Sequence, residues 1–221
     1  MIKTEKCIIF TGGAPICCRG FSQSDFDGCL IIAADSGIAQ LEMLNQNGFY
    51  ISPDIILGDM DSFDIKEAAN SFPNAEFLSF PPEKDYTDTQ LALDIAKGKG
   101  YKSIDIVGGT GNRADHYLAN LALVRSCALE GIGLSICDGK NKITYCNAGK
   151  MSVEKDGRFK YFSILPDGSN LYGVTISGAK YNLCGAVIDR DLPVTISNEI
   201  TEDSCEIKVS DGSFFFILSS D

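Results

Sequence analysis

The chain has a single histidine, His116, no Cys-x-x-Cys pair and no Gly-x-x-x-x-Gly-Lys-Ser/Thr loop anywhere in its 221 residues. A structural zinc site needs closely spaced thiolate or imidazole ligands, so zinc is not expected as an organiser. The missing lysine loop excludes a P-loop kinase. Basic charge is also scarce. Nineteen Lys and Arg face thirty Asp and Glu, a net charge of −11. Binding to nucleic acid releases counterions onto a basic face, so no nucleic-acid partner is expected. No apolar run approaches the roughly 20 residues that cross a bilayer, and residues 1–6 lead directly into a strand-like run. Neither a signal peptide nor a membrane span is expected. Nine cysteines, scattered from Cys7 to Cys205, form no framework. They read as reduced thiols, which places the protein in the cytoplasm.

Against these absences, 44% of the residues are hydrophobic, enough for a core of one large or two modest domains. Up to about residue 140, short apolar runs alternate with helical patterns. The runs are 7–10, 30–34, 55–57, 77–80, 104–107 and 134–137, each bounded by Gly, Asp or Pro. This alternation predicts a parallel α/β sheet. Thr87 and Gln90 form a possible capping box for a helix that stops at Gly98. A second helix follows Asp115, with Leu118, Leu121, Ala122 and Leu129 expected inward, and stops at Gly131.

Beyond about residue 147 the period changes. Strand-like stretches at 151–153, 159–165, 174–176, 181–183, 186–188, 194–196, 205–209 and 214–218 are separated by turn residues. The expected fold is an N-terminal α/β domain with a parallel, Rossmann-like sheet (1–142), followed by a small all-β sandwich domain (143–221).

The polar residues of the first half fall just after the predicted strands. In an open parallel sheet that is the rim where ligands bind. Asp35-Ser36-Gly37 follows the second run, and Gly58-Asp59-Met60-Asp61-Ser62 the third. The fourth is followed by Lys84, Asp85, Thr87 and Asp88, and the fifth by Gly108-Gly109-Thr110-Gly111, Arg113, Asp115 and His116. Carboxylates gathered on one rim repel unless a cation lies among them, and oxygen donors without a His or Cys cluster suit Mg²⁺. The glycines permit close backbone approach to an anion at a helix start. Arg113 offers a fork and Lys84 a point charge for phosphate. Together these make a phosphoryl-transfer site.

Each motif has a plainer reading when taken alone. Asp59-x-Asp61 occurs in ordinary turns, and Asp85 and Asp88 complement a helix dipole. Gly109 to Ala114 fits Gly-x-Gly-x-x-Ala but follows the fifth strand instead of opening a first βαβ unit. His116 reads as a structural histidine and 214–216 as strand core. Two rivals stand beside this phosphoryl-transfer reading. One is a haloacid-dehalogenase-like phosphatase with Asp59 as nucleophile; the other is a sensing protein without turnover.

In order along the chain, Asp35-Ser36-Gly37, residues 53–62, Lys84-Asp85-Tyr86-Thr87-Asp88, residues 108–116 and Ser197-Asn198-Glu199 resemble the motifs of thiamine pyrophosphokinases. The resemblance implies transfer of a diphosphate from ATP to the hydroxyl of thiamine, releasing AMP, in a homodimer with thiamine near the subunit interface. It implies a Mg²⁺–ATP site of Asp35, Asp59, Asp61 and Asp88, with Lys84 and Arg113 on phosphates and Gly108, Gly109 and Gly111 at the nucleotide. Asp115 would meet the aminopyrimidine of thiamine, and Ser197 and Asn198 would lie beside it. Some members stack a tryptophan on thiamine. This chain has none.

Overall fold

The computed structural model describes residues 6–58, 70–80, 86–111, 113–192 and 194–221. Its contacts divide the chain into two units, Met1–Gly139 and Lys140–Asp221.

In the first unit the six short apolar runs are six short strands: β1 Lys6–Phe10, β2 Leu30–Ala34, β3 Ile55–Gly58, β4 Glu76–Ser79, β5 Ser103–Val107 and β6 Gly133–Cys137. All their pairings are parallel, in the order β4-β3-β2-β1-β5-β6. Cys7, Ile8, Ile9 and Phe10 of the central β1 are at most 1% exposed. Burial on both faces is why these runs are continuously apolar and not alternating.

The chain steps outward from β1 to β4 on one side, then returns to place β5 on the other flank of β1. That reversal puts a topological switch point between β1 and β5. A crevice is expected outside their carboxyl ends.

Three helices frame that rim among the described residues: α1 Gly37–Gln46, α2 Asp88–Gly98 and α3 Ala114–Leu129. Thr87 caps α2, its hydroxyl accepting the Gln90 N–H at 3.2 Å. The expected inward face of α3 is corrected. Leu118 and Leu129 are 63% and 67% exposed, and Ala122 is exposed too, while Asn120, Val124 and Cys127 are buried. Alanine and leucine occur on every side of this helix, so periodicity alone does not choose its buried stripe.

Among its described residues the second unit holds four antiparallel strands, β7 Asn141–Glu154, β8 Tyr161–Ser177, β9 Leu183–Ile188 and β10 Ser204–Ser219, in the order β7-β10-β8-β9. Where the sequence suggests eight short strands, most merge into longer ones. Ser210-Asp211-Gly212 reads as a turn but sits in a register shift of β10, bending the strand without ending it. Residues 194–196 lie outside the strands, although the Ile164 N–H donates to the Thr195 carbonyl at 3.0 Å. One buried cluster takes Phe162, Ile164, Phe214 and Phe216 from one side of the bulges and Val174, Ile176 and Ile207 from the other.

Candidate active site

The crevice expected from the strand order is present as a cleft of about 490 Å³ in the first unit. Its lining reads as helix starts. Ser36 is the N-cap of α1, Thr87 the N-cap of α2 with Asp88 and Thr89 after it, and Arg113 the N-cap of α3 with His116 in its first turn. Three helices of ten, eleven and sixteen residues therefore turn their free N–H ends and positive dipole ends toward one cavity. A polyanion is the natural occupant.

Between the helix starts run two glycine loops, one after β1 (Thr11, Gly12, Gly13) and one after β5 (Gly108 to Gly111). Gly108 has φ +94°, and a Cβ there would lie 2.6 Å from the Thr11 carbonyl oxygen. A Cβ on Gly13 would lie 2.9 Å from both the Gly108 carbonyl oxygen and the Gly111 Cα. The loops touch backbone to backbone, which only residues without side chains permit. Thr11 ties this floor to α2 through a buried 2.8 Å hydroxyl–hydroxyl bond to Thr89.

Asp35 lines the cleft with φ +51°, a conformation that costs a non-glycine residue energy and concentrates at functional sites. Its Oδ1 is buried and has no hydrogen-bond partner among the described residues. A buried, unpartnered carboxylate oxygen on a residue that lines a cleft is a donor a hard cation can take, and in that respect the residues fit Mg²⁺. Asp88 lines the same cleft.

Arg113 and Asp115 are engaged with each other. Arg113 Nε donates to Asp115 Oδ1 at 3.2 Å and Nη2 to Oδ2 at 2.7 Å. Both side chains are well exposed, 70% and 65%. Hydrogen bonds from Arg113 and from the His116 N–H hold the Asp115 carboxyl down to about 2. Water screens such an exposed pair, so an incoming phosphate can claim the fork.

Gly111, Asp35, Asp88 and Arg113 thus meet in one cleft. Gly108 and Gly109 lie in the loop beneath it, and Asp115 sits on the first turn of α3. Asp59, Asp61 and Lys84 lie outside the described residues.

Ser197 and Asn198 belong to the second unit. Ser197 is exposed at φ +55°, its N–H donating to Ser163 Oγ at 3.1 Å. Asn198 is 6% exposed, and its amide is spent on backbone. Its Oδ1 accepts from the Tyr181 and Glu199 N–H groups at 3.0 and 2.9 Å, and its Nδ2 donates to the Tyr181 carbonyl at 2.8 Å. Beside it lies an apolar hollow of about 300 Å³ walled by Ile176, Tyr181, Leu183, Ile188, Val194 and Ile196. Tyr181 is the aromatic of that wall and is 61% exposed.

Residues 26–136 match the family model described as the catalytic domain of thiamin pyrophosphokinase, and residues 150–214 match the one described as its vitamin B1 binding domain. Thiamine pyrophosphokinase of Bacillus subtilis is 33% identical over 172 residues, spanning 77% of this chain and 80% of the relative. The chain belongs to the thiamine pyrophosphokinase family. A crystal structure of the Bacillus subtilis enzyme superposes with a TM-score of 0.85 at 28% identity, covering 98% of this chain and 99% of that one. Thiamin pyrophosphokinase of Candida albicans shares the fold at 14% identity, with a TM-score of 0.75, covering 98% of this chain and 89% of that one.

Some residues of this cleft carry no strong signal in the sequence. The Thr11-Gly12-Gly13 loop follows the first strand and carries two adjacent glycines, a signal that could have marked it. Thr89 could have been found from its place on the first turn of a helix opening on the rim. His116 read as structural but lines the cleft.

Proposed function

We propose that this chain transfers the diphosphate of ATP to the hydroxyl of thiamine, giving thiamine diphosphate and AMP. The observation that carries the reading is the convergence of three helix N-termini and two touching glycine loops on one cleft, with a buried carboxylate oxygen of Asp35 that has no hydrogen-bond partner among the described residues. The thiamine hydroxyl oxygen forms a bond to the β-phosphorus as the bond from that phosphorus to the α,β-bridging oxygen breaks. AMP leaves with the electron pair, and the hydroxyl proton passes to a site carboxylate. Positioning and charge stabilisation dominate such a transfer.

The backbone amides at the starts of α1, α2 and α3 hold the phosphates. Arg113 exchanges Asp115 for a phosphate oxygen, and Lys84 adds a second cation. Asp35, Asp59, Asp61 and Asp88 would hold Mg²⁺. That ion, when bound, neutralises charge on the phosphates.

We read the second unit as the thiamine-binding half, its bent sheet closing on its core as a sandwich. Its hollow suits a flat ring, and Tyr181 stands there for the absent tryptophan. Asp115 and Ser197 are proposed as polar contacts of thiamine. Asn198 acts through Tyr181, whose backbone it brackets. The working unit is proposed to be a homodimer, for which a sedimentation mass of two chains is required.

The reading is tested with purified protein, Mg²⁺, ATP and thiamine. AMP should appear only when thiamine is present, with thiamine diphosphate in equal amount. ADP together with thiamine monophosphate would show attack at the other phosphorus and overturn it.

A further inference from the structure

Two buried amides outside the cleft grip the two glycine loops. Gln40, on α1, is 7% exposed; its Nε2 donates to the Ala14 and Gly13 carbonyls at 3.1 and 3.4 Å, and its Oε1 accepts the Ile16 N–H at 3.3 Å. Asn120, on α3, is also 7% exposed, and its Nδ2 donates to the Gly109 carbonyl at 2.9 Å. Neither side chain lines the cleft. Each reaches from the body of a helix to the loop that helix packs beneath.

We propose that Gln40 and Asn120 are positioning residues that fix the two glycine loops in their nucleotide-binding shape, and that they set the handling of ATP without affecting that of thiamine. Glycine-rich backbone is the freest in the chain, so ordering it on a ligand costs binding energy. A loop already ordered by an internal amide spares that cost. The two clamps act on one surface, because Gly13 packs directly on Gly108 and Gly111. The orientation of α3 follows from the same bond. Asn120 must face inward to reach Gly109, which turns Leu118 and Leu129 to the surface.

A role confined to stability predicts something different. It would lower the melting temperature and leave the kinetics of the folded fraction unchanged.

The proposal rests on the reading of the cleft as an ATP site, so binding of Mg²⁺–ATP to the wild-type protein is measured first, by calorimetry. No binding there overturns that reading and the clamps with it. Asn120→Asp keeps the shape and replaces the donor facing Gly109 by an acceptor. Gln40→Met keeps the length and removes the bonds to Gly13, Ala14 and Ile16. Both variants are followed by circular dichroism, by KM for each substrate and by kcat.

KM for ATP should rise about tenfold in folded Asn120→Asp, the effect of losing one buried hydrogen bond, and at least as much in Gln40→Met, which loses three; KM for thiamine should change less than twofold in either. Gln40→Met decides the matter if Asn120→Asp fails to fold: Gly13 is exposed and Ala14 half-buried, so water can satisfy their carbonyls, and the N–H of Ile16, 5% exposed, is the one group left without its partner. A folded Gln40→Met with wild-type KM for ATP, or with both KM values raised alike, overturns the proposal.

Discussion

The two units solve the problem of making a site in opposite ways. In the first, every described strand runs the same way, so the loops that follow them emerge on one rim, and three helix starts come with them. Asp35, Asp88, Arg113 and the glycine loops collect there without any long-range design. In the second, neighbouring strands run in opposite directions and their ends alternate. Its polar residues Glu154, Lys155, Asp156, Lys160 and Glu199 line a separate pocket of about 280 Å³, while the hollow beside Asn198 is walled mainly by apolar side chains of strands β8 and β9 and the segment after them. Parallel order suits a polyanion, and the antiparallel face suits a flat apolar ring.

One feature is common to both. The described non-glycine residues with positive φ are Asp35 in the first unit and Ser197 in the second, and each is a candidate site residue.

The sharpest way to break the division is to remove charge from the first unit. Asp35→Asn keeps the left-handed backbone, which Asn tolerates, and removes the carboxylate whose buried Oδ1 has no hydrogen-bond partner among the described residues. Turnover should fall on the order of 10²- to 10³-fold, the scale of one lost electrostatic contact in a transition state. Asp88→Asn should behave alike. AMP release at limiting Mg²⁺ is the measurement, and near-normal rates would remove that residue from the metal site.

Arg113→Lys comes next. It retains charge and loses the planar fork, so AMP release should drop by tenfold or so. An unchanged rate would leave Arg113 as the cap of α3 and nothing more.

A smaller effect, confined to the other unit, is expected of Tyr181→Ala. Loss of one stacked ring should raise KM for thiamine roughly three- to tenfold and leave ATP binding as it was. Tyr181→Trp should restore it. Equal effects on both substrates would dissolve the proposed split between the units.

The smallest effect concerns pH. Asp115 is held near 2, below its ordinary value of 3.8, so it favours the folded state above pH 3.8 and loses that contribution as pH falls toward 2. The melting temperatures of wild type and Asp115→Asn should therefore differ by a small constant amount from pH 5 to 8 and converge below pH 4. A difference that grows in acid would contradict the sign.

Much of the first unit was legible because its signals are local. Six apolar runs gave six strands, and the residues just past them gave Asp35, Asp88, Gly111 and Arg113 in one cleft. The second unit was legible only as β. Whether Ser210-Asp211-Gly212 turns the chain or merely bulges it depends on partners in β7 and β8, dozens of residues away.

The sequence by itself determined the strand positions, the rim they share and the chemistry displayed there. Burial on both faces and turn chemistry leave their mark within a few residues. Only the tertiary structure decided that Gly13 rests on Gly111, that Thr11 bonds Thr89, that Asn120 and not Leu118 faces inward, and that Arg113 holds Asp115 in its fork. All but the last join segments far apart in the chain, and even Arg113 and Asp115 meet only once the start of α3 is set. Their energies exist only after the sheet has brought its carboxyl ends together.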